Sequence, residues 1–203
     1  MRLRKPSVET VRRELAELTE TPYSYEGVGT TATTPPAGYR VDRTRARLGT
    51  GRSTFLRARE ALRAWRQFSL KWLEVIPRDF EPAPGCVVAL VCHAYGFWWV
   101  NPTRVVYVVD ETETTVASDG SERFGFAYGT LPSHVEAGEE RFLIEYQPDD
   151  GSVWYEILAF SRARHPLVRL AAPLGRRLQR RFTRQSVAAL ARAVSSGVTA
   201  DPS

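Results

Sequence analysis

The sequence predicts an α+β fold in which an antiparallel sheet of about six or seven strands packs on a long C-terminal helix. Between residues 70 and 161, apolar side chains recur at every second position in runs bounded by turn residues, as in consecutive antiparallel strands. After residue 166 they recur at every third or fourth position, as on one face of a helix. With 203 residues, 43% of them hydrophobic and 25% charged, the chain has the length and composition of one globular domain.

The chain begins with a predicted amphipathic helix and an irregular connection. Ser7 is a suitable N-cap, and Val11 and Leu15 lie on one face of the turns that follow. Several glycines and prolines then interrupt any regular element until residue 39. The expected division is an N-terminal helix over 1–20, an irregular connection over 21–38, one domain over 39–195 and a frayed tail over 196–203.

A strand, a helix and six further strands are expected next. The strand Tyr39–Leu48 ends in the turn Gly49-Thr50-Gly51, and the helix after it carries an apolar stripe that includes Phe55 and Leu62. Turns rich in aspartate and glycine join several of the later strands as hairpins. The six later strands are expected at Leu70–Ile76, Cys86–Tyr95, Thr103–Asp110, Glu122–Thr130, Gly138–Gln147 and Val153–Ser161.

Two segments interrupt this regular order. The aromatic run Phe97–Pro102 is expected to form a bend over one edge of the core, because proline cannot donate a hydrogen bond to a strand ladder. In the last helix, Pro173 is expected to produce a kink or a break, because it removes one backbone hydrogen bond.

The predicted strand Glu122–Thr130 has one bulky and one bare face. Its aromatic residues alternate with Gly125, Ala127 and Gly129, so the two sets point to opposite sides of the sheet. A bare face leaves room for a packed helix or a ligand. The expected partner is the row Leu174–Phe182 of the C-terminal helix.

The distribution of charge and the cysteine content limit the classes of protein to which the chain can belong. The formal net charge is +5, with acidic residues concentrated between residues 105 and 156 and arginines in the last forty or so residues. No apolar run is long enough to span a membrane, and the basic N-terminus lacks the apolar core of a signal peptide. Cys86 and Cys92 are expected to be buried free thiols. A soluble cytoplasmic protein is the prediction.

Several strings in the chain resemble one family. They are Tyr23-x-Tyr25-x-Gly27-Val28-Gly29, Leu48-Gly49-x-Gly51, Ala61-Leu62-Arg63-x-Trp65, Asn101-Pro102-x-Arg104-Val105-Val106-Tyr107, the run from Phe124 to His134, Gly138-Glu139-Glu140-Arg141-Phe142 and Ala159-Phe160-Ser161-Arg162. Over about residues 20 to 195 the chain resembles the bacterial and plant domain of unknown function nineteen-ninety. That family is similar to the START-like, birch-pollen-allergen-like (SRPBCC) superfamily. The resemblance implies a helix-grip fold, in which a curved sheet holds the C-terminal helix around a cavity, and it brings no catalytic residue with it.

A pocket between sheet and helix is the main functional hypothesis, since such pockets are apolar with a few polar groups. Core packing is the alternative for each aromatic residue, because burial alone favours aromatics on strands. Glu140 is also a candidate for orienting the polar end of a ligand. The side chains expected to bind the ligand are Trp65, Trp98, Trp99, Arg104, Tyr107, Phe126, Tyr128, His134 and Phe160.

Acid/base chemistry in the same pocket is an alternative. His134, Glu140 and Tyr128 are the catalytic candidates, because histidine titrates near neutral pH and carboxylates and phenols transfer protons. A solvated hairpin loop stabilised by His134 competes with this interpretation. No metal-ligand spacing, phosphate-binding loop or nucleophile elbow occurs, so neither a metal nor a cofactor is expected.

A third hypothesis concerns the arginines of the last helix. A basic helix face suits phosphates or an acidic partner, although a solvated face paired with nearby carboxylates is the commoner arrangement. Nucleic acid is not expected as the partner. The residues concerned are Arg176, Arg177, Arg180, Arg181 and Arg184. The three hypotheses are thus a binding protein for a small hydrophobic or amphipathic ligand, a cyclase-like or hydrolase-like enzyme, and an interaction module.

Overall fold

A computed structural model of the protein describes residues 1–78, 80–112, 117, 119–163 and 172–196. Short 3-10 turns lie at Thr30–Ala32 and Arg66–Phe68. The longer elements are helix α1 (Val8–Ala16), strand β1 (Arg40–Thr50), helix α2 (Arg52–Arg63), strands β2 (Leu73–Ile76), β3 (Val87–Ala94), β4 (Phe97–Glu111), β5 (Glu122–Thr130), β6 (Glu136–Tyr146) and β7 (Ser152–Ala163), and helix α3 (Ala172–Ser196).

The seven strands form one antiparallel sheet in the order β1-β7-β6-β5-β4-β3-β2. Helices α2 and α3 pack on the same face of this sheet, where Phe55, Leu62 and Leu190 share a buried core with Phe126 and Phe142. We call this the inner face and the opposite one the outer face. The predicted α+β helix-grip fold, with a curved sheet packed on a C-terminal helix, is confirmed.

Two glycines allow close contacts between neighbouring strands. A Cβ atom on Gly125 would lie 2.2 Å from the carbonyl oxygen of Phe142, and one on Gly138 would lie 1.9 Å from that of Phe160. Both distances are far below van der Waals contact, so only glycine fits at these positions. Glycine at such points lets a sheet bend.

The prediction of a bend at Phe97–Pro102 is wrong, because β4 is continuous from Phe97. Pro102 pairs with Ala89 of β3, and its carbonyl oxygen accepts a hydrogen bond from Leu131 N on the other side. In an antiparallel strand the nitrogen and the carbonyl of one residue point the same way. The proline nitrogen therefore faces the end of β5, where no ladder bond requires an N–H group.

The bare face of β5 does not contact α3 as expected. Phe126 and Tyr128 of β5 lie on the inner face beside Phe182 and Leu190 of α3, so the bulky side is the one that packs on the helix. Gly129 is on the outer face, where a Cβ atom would lie 2.2 Å from the Tyr25 hydroxyl oxygen. The partner of the bare face is therefore the segment that precedes β1.

The outer face is partly covered by the N-terminal region. Helix α1 is capped by Ser7, whose side chain accepts a hydrogen bond from Thr10 N, and it buries Val11 and Leu15. These two residues form a small core with Ile76, Ala89 and Val91 of β2 and β3. Within the described residues, no helix combines the length and apolar character needed to cross a bilayer.

The C-terminal helix is described from Ala172 onward, so Pro173 lies in its first described turn. Residues 164–171 and 197–203 fall outside the described residues, and with them the start of the predicted long helix and most of the predicted frayed tail. Cys86 and Cys92 are free thiols. Cys92 is buried as expected, but Cys86 is only partly buried.

Candidate ligand-binding site

A cavity of about 660 Å³ lies between the inner face of the sheet and helix α3. Its apolar wall comes from both layers and includes Leu73, Leu90, Ile157, Leu178, Phe182 and Val187. The volume falls in the range of small-molecule sites.

Small side chains in the centre of the sheet make room for this cavity. Gly138 of β6 pairs with Ser161 of β7, and Glu140 pairs with Ala159. Gly138, Ala159 and Ser161 all line the cavity and form what we call its floor. Larger side chains at positions 159 and 161 would fill the space between β7 and α3.

A carboxyl and a phenol meet on the wall beside this floor. Tyr128 of β5 donates a hydrogen bond to Glu140 Oε2 at 2.5 Å. Burial raises the pKa of Glu140 to about 7, against the opposing effect of this hydrogen bond. Burial and the neighbouring carboxylate also raise the pKa of Tyr128 well above that of free tyrosine. Glu140 can thus accept or release a proton near neutral pH.

Two further carboxylates lie nearby on the inner face. Glu136 Oε2 accepts a hydrogen bond of 2.8 Å from the Gln179 side chain of α3, and burial raises the pKa of Glu136. Asp42 of β1 accepts a hydrogen bond of 2.6 Å from Arg40. All four residues line the cavity. The wall formed by β1, β6 and α3 is therefore acidic and polar.

Asn101 adds an unsatisfied acceptor to the lining. Its side chain is 7% exposed, and its amide nitrogen donates to the carbonyl oxygen of Leu90 at 3.2 Å. Its Oδ1 atom is buried and has no hydrogen-bond partner. Buried acceptors are normally satisfied, so a missing partner is a reason to expect a ligand or water there.

The structure brings only part of the predicted site together. Tyr128, His134, Phe160 and Glu140 border the cavity. The ring of Phe160, however, lies on the outer face against Tyr25 and Tyr39, with centroid distances of 5.6 and 5.2 Å. Whether the four residues contact a ligand stays a prediction.

The remaining predicted ligand contacts lie outside this cavity. Trp65 and Phe126 pack on each other in the main core, with ring centroids 4.5 Å apart. Arg104 donates to the backbone carbonyls of Leu18 and Thr21 on the outer face. The other three residues are also placed away from the lining, namely Trp98 stacked on His93, Trp99 donating to Ala94 O, and Tyr107 bonded to Thr31.

A second depression lies at the C-terminal end of α2. This open groove has a volume of about 870 Å³ and is lined by Trp65, Trp72 and Trp98 together with several charged residues. Among its charges, Lys5 and Arg78 both pair with Glu74, at 2.6 and 2.5 Å. Its charged rim is therefore largely satisfied internally, unlike the lining of the cavity.

His134 closes the turn between β5 and β6. Its Nδ1 atom accepts a hydrogen bond from the backbone N–H of Glu136 at 3.0 Å. Glu139 is not part of a group with Glu136 and Glu140, because consecutive residues of a strand point to opposite faces. Within the described residues, no three His, Cys, Asp or Glu side chains lie close enough to hold a metal ion.

Glu139 instead anchors the segment that precedes β1 to the outer face. The carboxylate is 2% exposed and accepts hydrogen bonds from Tyr25 Oη at 2.6 Å, from Gly29 N at 2.7 Å and from Thr31 N at 3.0 Å. The Thr31 hydroxyl donates to it as well. Residues 25–31 are therefore ordered and lie on the side of the sheet away from the cavity.

The five predicted arginines of α3, which are Arg176, Arg177, Arg180, Arg181 and Arg184, are all exposed. Arg180 and Arg184 border the cavity, and the Arg181 guanidinium lies 4.8 Å from the centre of the Trp72 ring. Among the described residues, no carboxylate lies within 4.0 Å of any of the five, so the expected pairing with acidic strands is not seen there.

Sequence reasoning missed Asp42, Asn101 and Gln179 as lining residues. The predicted bend removed Asn101 from the sheet, although its alternation with Trp99 and Thr103 would have placed it on one face. Gln179 lies one turn from Phe182 on the helix, a spacing that indicates a shared face. For Asp42, which is brought to the site by pairing of β1 with β7, no local signal exists.

The comparisons with known proteins agree with this architecture. Residues 24–189 match the family described as a domain of unknown function, DUF1990. A UPF0548 protein of Dictyostelium discoideum is 34% identical over 209 residues, which cover 95% of this chain and 95% of that protein. A UPF0548 protein of Deinococcus radiodurans is 35% identical over 194 residues and covers 90% of this chain and 89% of that protein.

A solved structure shows a similar fold. The START superfamily protein from Mycobacterium smegmatis aligns with a TM-score of 0.50 at 14% sequence identity, covering 78% of this chain and 99% of that one. At this identity the likeness concerns the fold alone. The match over residues 24–189 and the two relatives at 34% and 35% identity show that the chain belongs to the DUF1990 (UPF0548) family.

Proposed function

We propose that this protein binds a small amphipathic molecule in the cavity between the sheet and α3. The observation that supports this most is the cavity itself, with a volume of about 660 Å³ between the sheet and α3. Its lining combines apolar side chains from both layers with a few polar groups, including Glu140, Asn101 and Gln179. This is the composition expected of a small-molecule site.

Filling the cavity floor should abolish binding without unfolding the protein. In Ala159→Phe a large ring would occupy the space beside Glu140, so we expect the affinity for the apolar probe N-phenyl-1-naphthylamine to fall at least about tenfold. The matched control is Ala188→Phe on the exposed side of α3. Fluorescence titration measures both. Equal probe binding by the two variants, or none by the unaltered protein, would refute the proposal.

A second candidate function is favoured by the unpaired arginines of α3. Five exposed guanidinium groups on one helix, with no carboxylate partner among the described residues, form a surface that attracts a polyanion. The function would be docking on an acidic partner, independent of the cavity.

Reversing two of these charges should weaken docking. We expect Arg176→Glu combined with Arg177→Glu to elute from immobilised heparin at clearly lower salt than the unaltered protein, because counterion release decreases with each lost contact. The same reversal at Arg12 and Arg13, which are exposed on α1, is the control for net charge. Identical elution of the two double variants would show that net charge alone governs retention.

A further inference from the structure

We infer that the ligand of the cavity carries a protonated amine at its polar end, and that the side chains of Glu136 and Glu140 receive it. This inference rests on the function proposed above and gives the chemical class of its ligand. It follows from the hydrogen-bonding capacity that the lining leaves unused, together with the space between the two glutamates.

Both glutamates have acceptor capacity to spare. Glu140 accepts one hydrogen bond, from Tyr128, and Glu136 accepts from the side chains of Gln179 and Ser161, which leaves lone pairs free on both carboxylates. Within the described part of the chain, neither forms an ion pair with arginine, lysine or histidine. By contrast, the buried Glu156 on the outer face is held by Arg43 and Arg141, both at 2.6 Å. Among the described residues, the two partly buried cavity glutamates thus have no cation at ion-pair distance, unlike Glu156.

Asn101 points to the same kind of ligand independently. Its amide nitrogen already donates a hydrogen bond to Leu90 O, and the acceptor atom Oδ1 remains without a partner. The Asn101 side chain is 7% exposed and lines the cavity. The unused atoms of Asn101, Glu136 and Glu140 are therefore acceptors, and a ligand group complementary to them is a donor.

The register of the sheet leaves room for a cationic group between the glutamates. Glu136 and Glu140 are four residues apart on β6, about 13 Å along the strand, and their side chains point to the same face. Gly138 lies between them and has no side chain, while Ser161 and Ala159 opposite are small. A primary ammonium has three donors and can contact both carboxylates or one carboxylate and Ser161.

The arginines around the cavity do not neutralise Glu136 and Glu140 in place of a ligand's ammonium group. Arg40 donates to Asp42 at 2.6 Å, so its charge is matched on β1. Arg180 and Arg184 lie on the exposed side of α3, at what we call the cavity mouth. The interior is thus acidic and the mouth is basic. The arrangement orients an amphipathic amine with its ammonium group inward.

The test uses three probes with the same eight-carbon tail. Isothermal titration calorimetry compares octylammonium, 1-octanol and octanoate on the intact protein at pH 8 and on Glu140→Gln, which keeps the shape of the side chain and removes its charge. We expect octylammonium to bind at least about tenfold more tightly than 1-octanol, because a charge-assisted contact in a buried site outweighs a neutral one. This preference should fall several-fold in Glu140→Gln, which keeps the carboxylate of Glu136 alone, while the affinity for 1-octanol stays the same.

The outcomes separate this inference from the proposed function. If 1-octanol or octanoate binds as tightly as octylammonium, the cavity binds ligands but the amine inference is wrong. If none of the three binds, both are wrong. The preference of the unaltered protein for octylammonium over 1-octanol tests the inference by itself. The test therefore remains valid even if Glu140→Gln does not fold.

The pH dependence gives a second readout. Because the pKa of Glu140 is raised to about 7, the carboxylate is mostly ionised at pH 8 and mostly protonated at pH 6. Octylammonium, which stays charged throughout, should therefore bind about tenfold more weakly at pH 6 than at pH 8. A flat profile would contradict the inference. The charged and titratable groups that face Glu140 or line the cavity with it are Glu136 and Glu139 on β6, Tyr128 on β5, Tyr155 on β7, Cys92 on β3, Arg40, Asp42 and Arg43 on β1, His134 in the turn before β6, and Arg180 and Arg184 on α3.

Discussion

Replacing Glu139 by alanine is expected to lower the free energy of unfolding by about 3–5 kcal/mol, because four donors would lose their acceptor at once in a buried place. Tyr25 Oη, Gly29 N and both donors of Thr31 all bond to this carboxylate, and Tyr25 and Thr31 are 7% and 1% exposed. Urea denaturation followed by circular dichroism measures the loss.

Two further variants sharpen the test of Glu139. Tyr25→Phe removes one of the four donors and should cost about 1–2 kcal/mol. Glu26→Ala changes an exposed carboxylate on the same segment and should stay within about 0.5 kcal/mol of the unaltered protein. Limited proteolysis should cut Glu139→Ala within residues 23–32 first. A loss equal to that of Glu26→Ala would show that the contacts of Glu139 contribute nothing to stability.

Gly138→Ala is expected to destabilise the protein by about 3 kcal/mol or more, since the added methyl group would overlap a backbone atom. Its Cβ would lie 1.9 Å from the carbonyl oxygen of Phe160 and 2.8 Å from Ser161 Cα on β7. Neither atom can move without breaking the ladder between β6 and β7. Thermal unfolding should therefore show a markedly lower Tm.

Gly175→Ala is the matched control for this substitution. Gly175 lies in the first described turns of α3, and a Cβ atom there would meet nothing within 4 Å. Alanine is the better helix former, so this variant should be unchanged or about 0.5–1 kcal/mol more stable. If Gly138→Ala behaves like Gly175→Ala, then β6 and β7 are not in the close contact that the structure shows.

The sequence was sufficient to predict the order and type of the elements. Period-2 and period-3.6 patterns are local, and they located α2, most of α3 and six of the seven strands within a few residues of their observed bounds, whereas β4 begins six residues before its predicted start. The error at Phe97–Pro102 arose because proline was treated as a break, whereas its nitrogen lies past the end of the neighbouring strand. Only strand pairing reveals where a ladder ends.

The site was less predictable because two of its features depend on distant parts of the chain. Alternation shows that Tyr128 and Gly129 point to opposite faces, but it does not tell which face the helix covers. The contact of Tyr25 with Glu139 joins residues 114 positions apart, so no local sequence pattern predicts it. The separation of Glu139 from Glu136 and Glu140, by contrast, follows from the strand period alone.

The position of residues 25–31 has a consequence for the kinetics of ligand exchange. Glu139 holds this segment against the outer face, and the cavity opens between the sheet and α3 on the other side. A molecule that enters or leaves the cavity therefore crosses no part of this segment. Under the proposed function, residence times should therefore be the same whether residues 25–31 are attached to the outer face or locally detached.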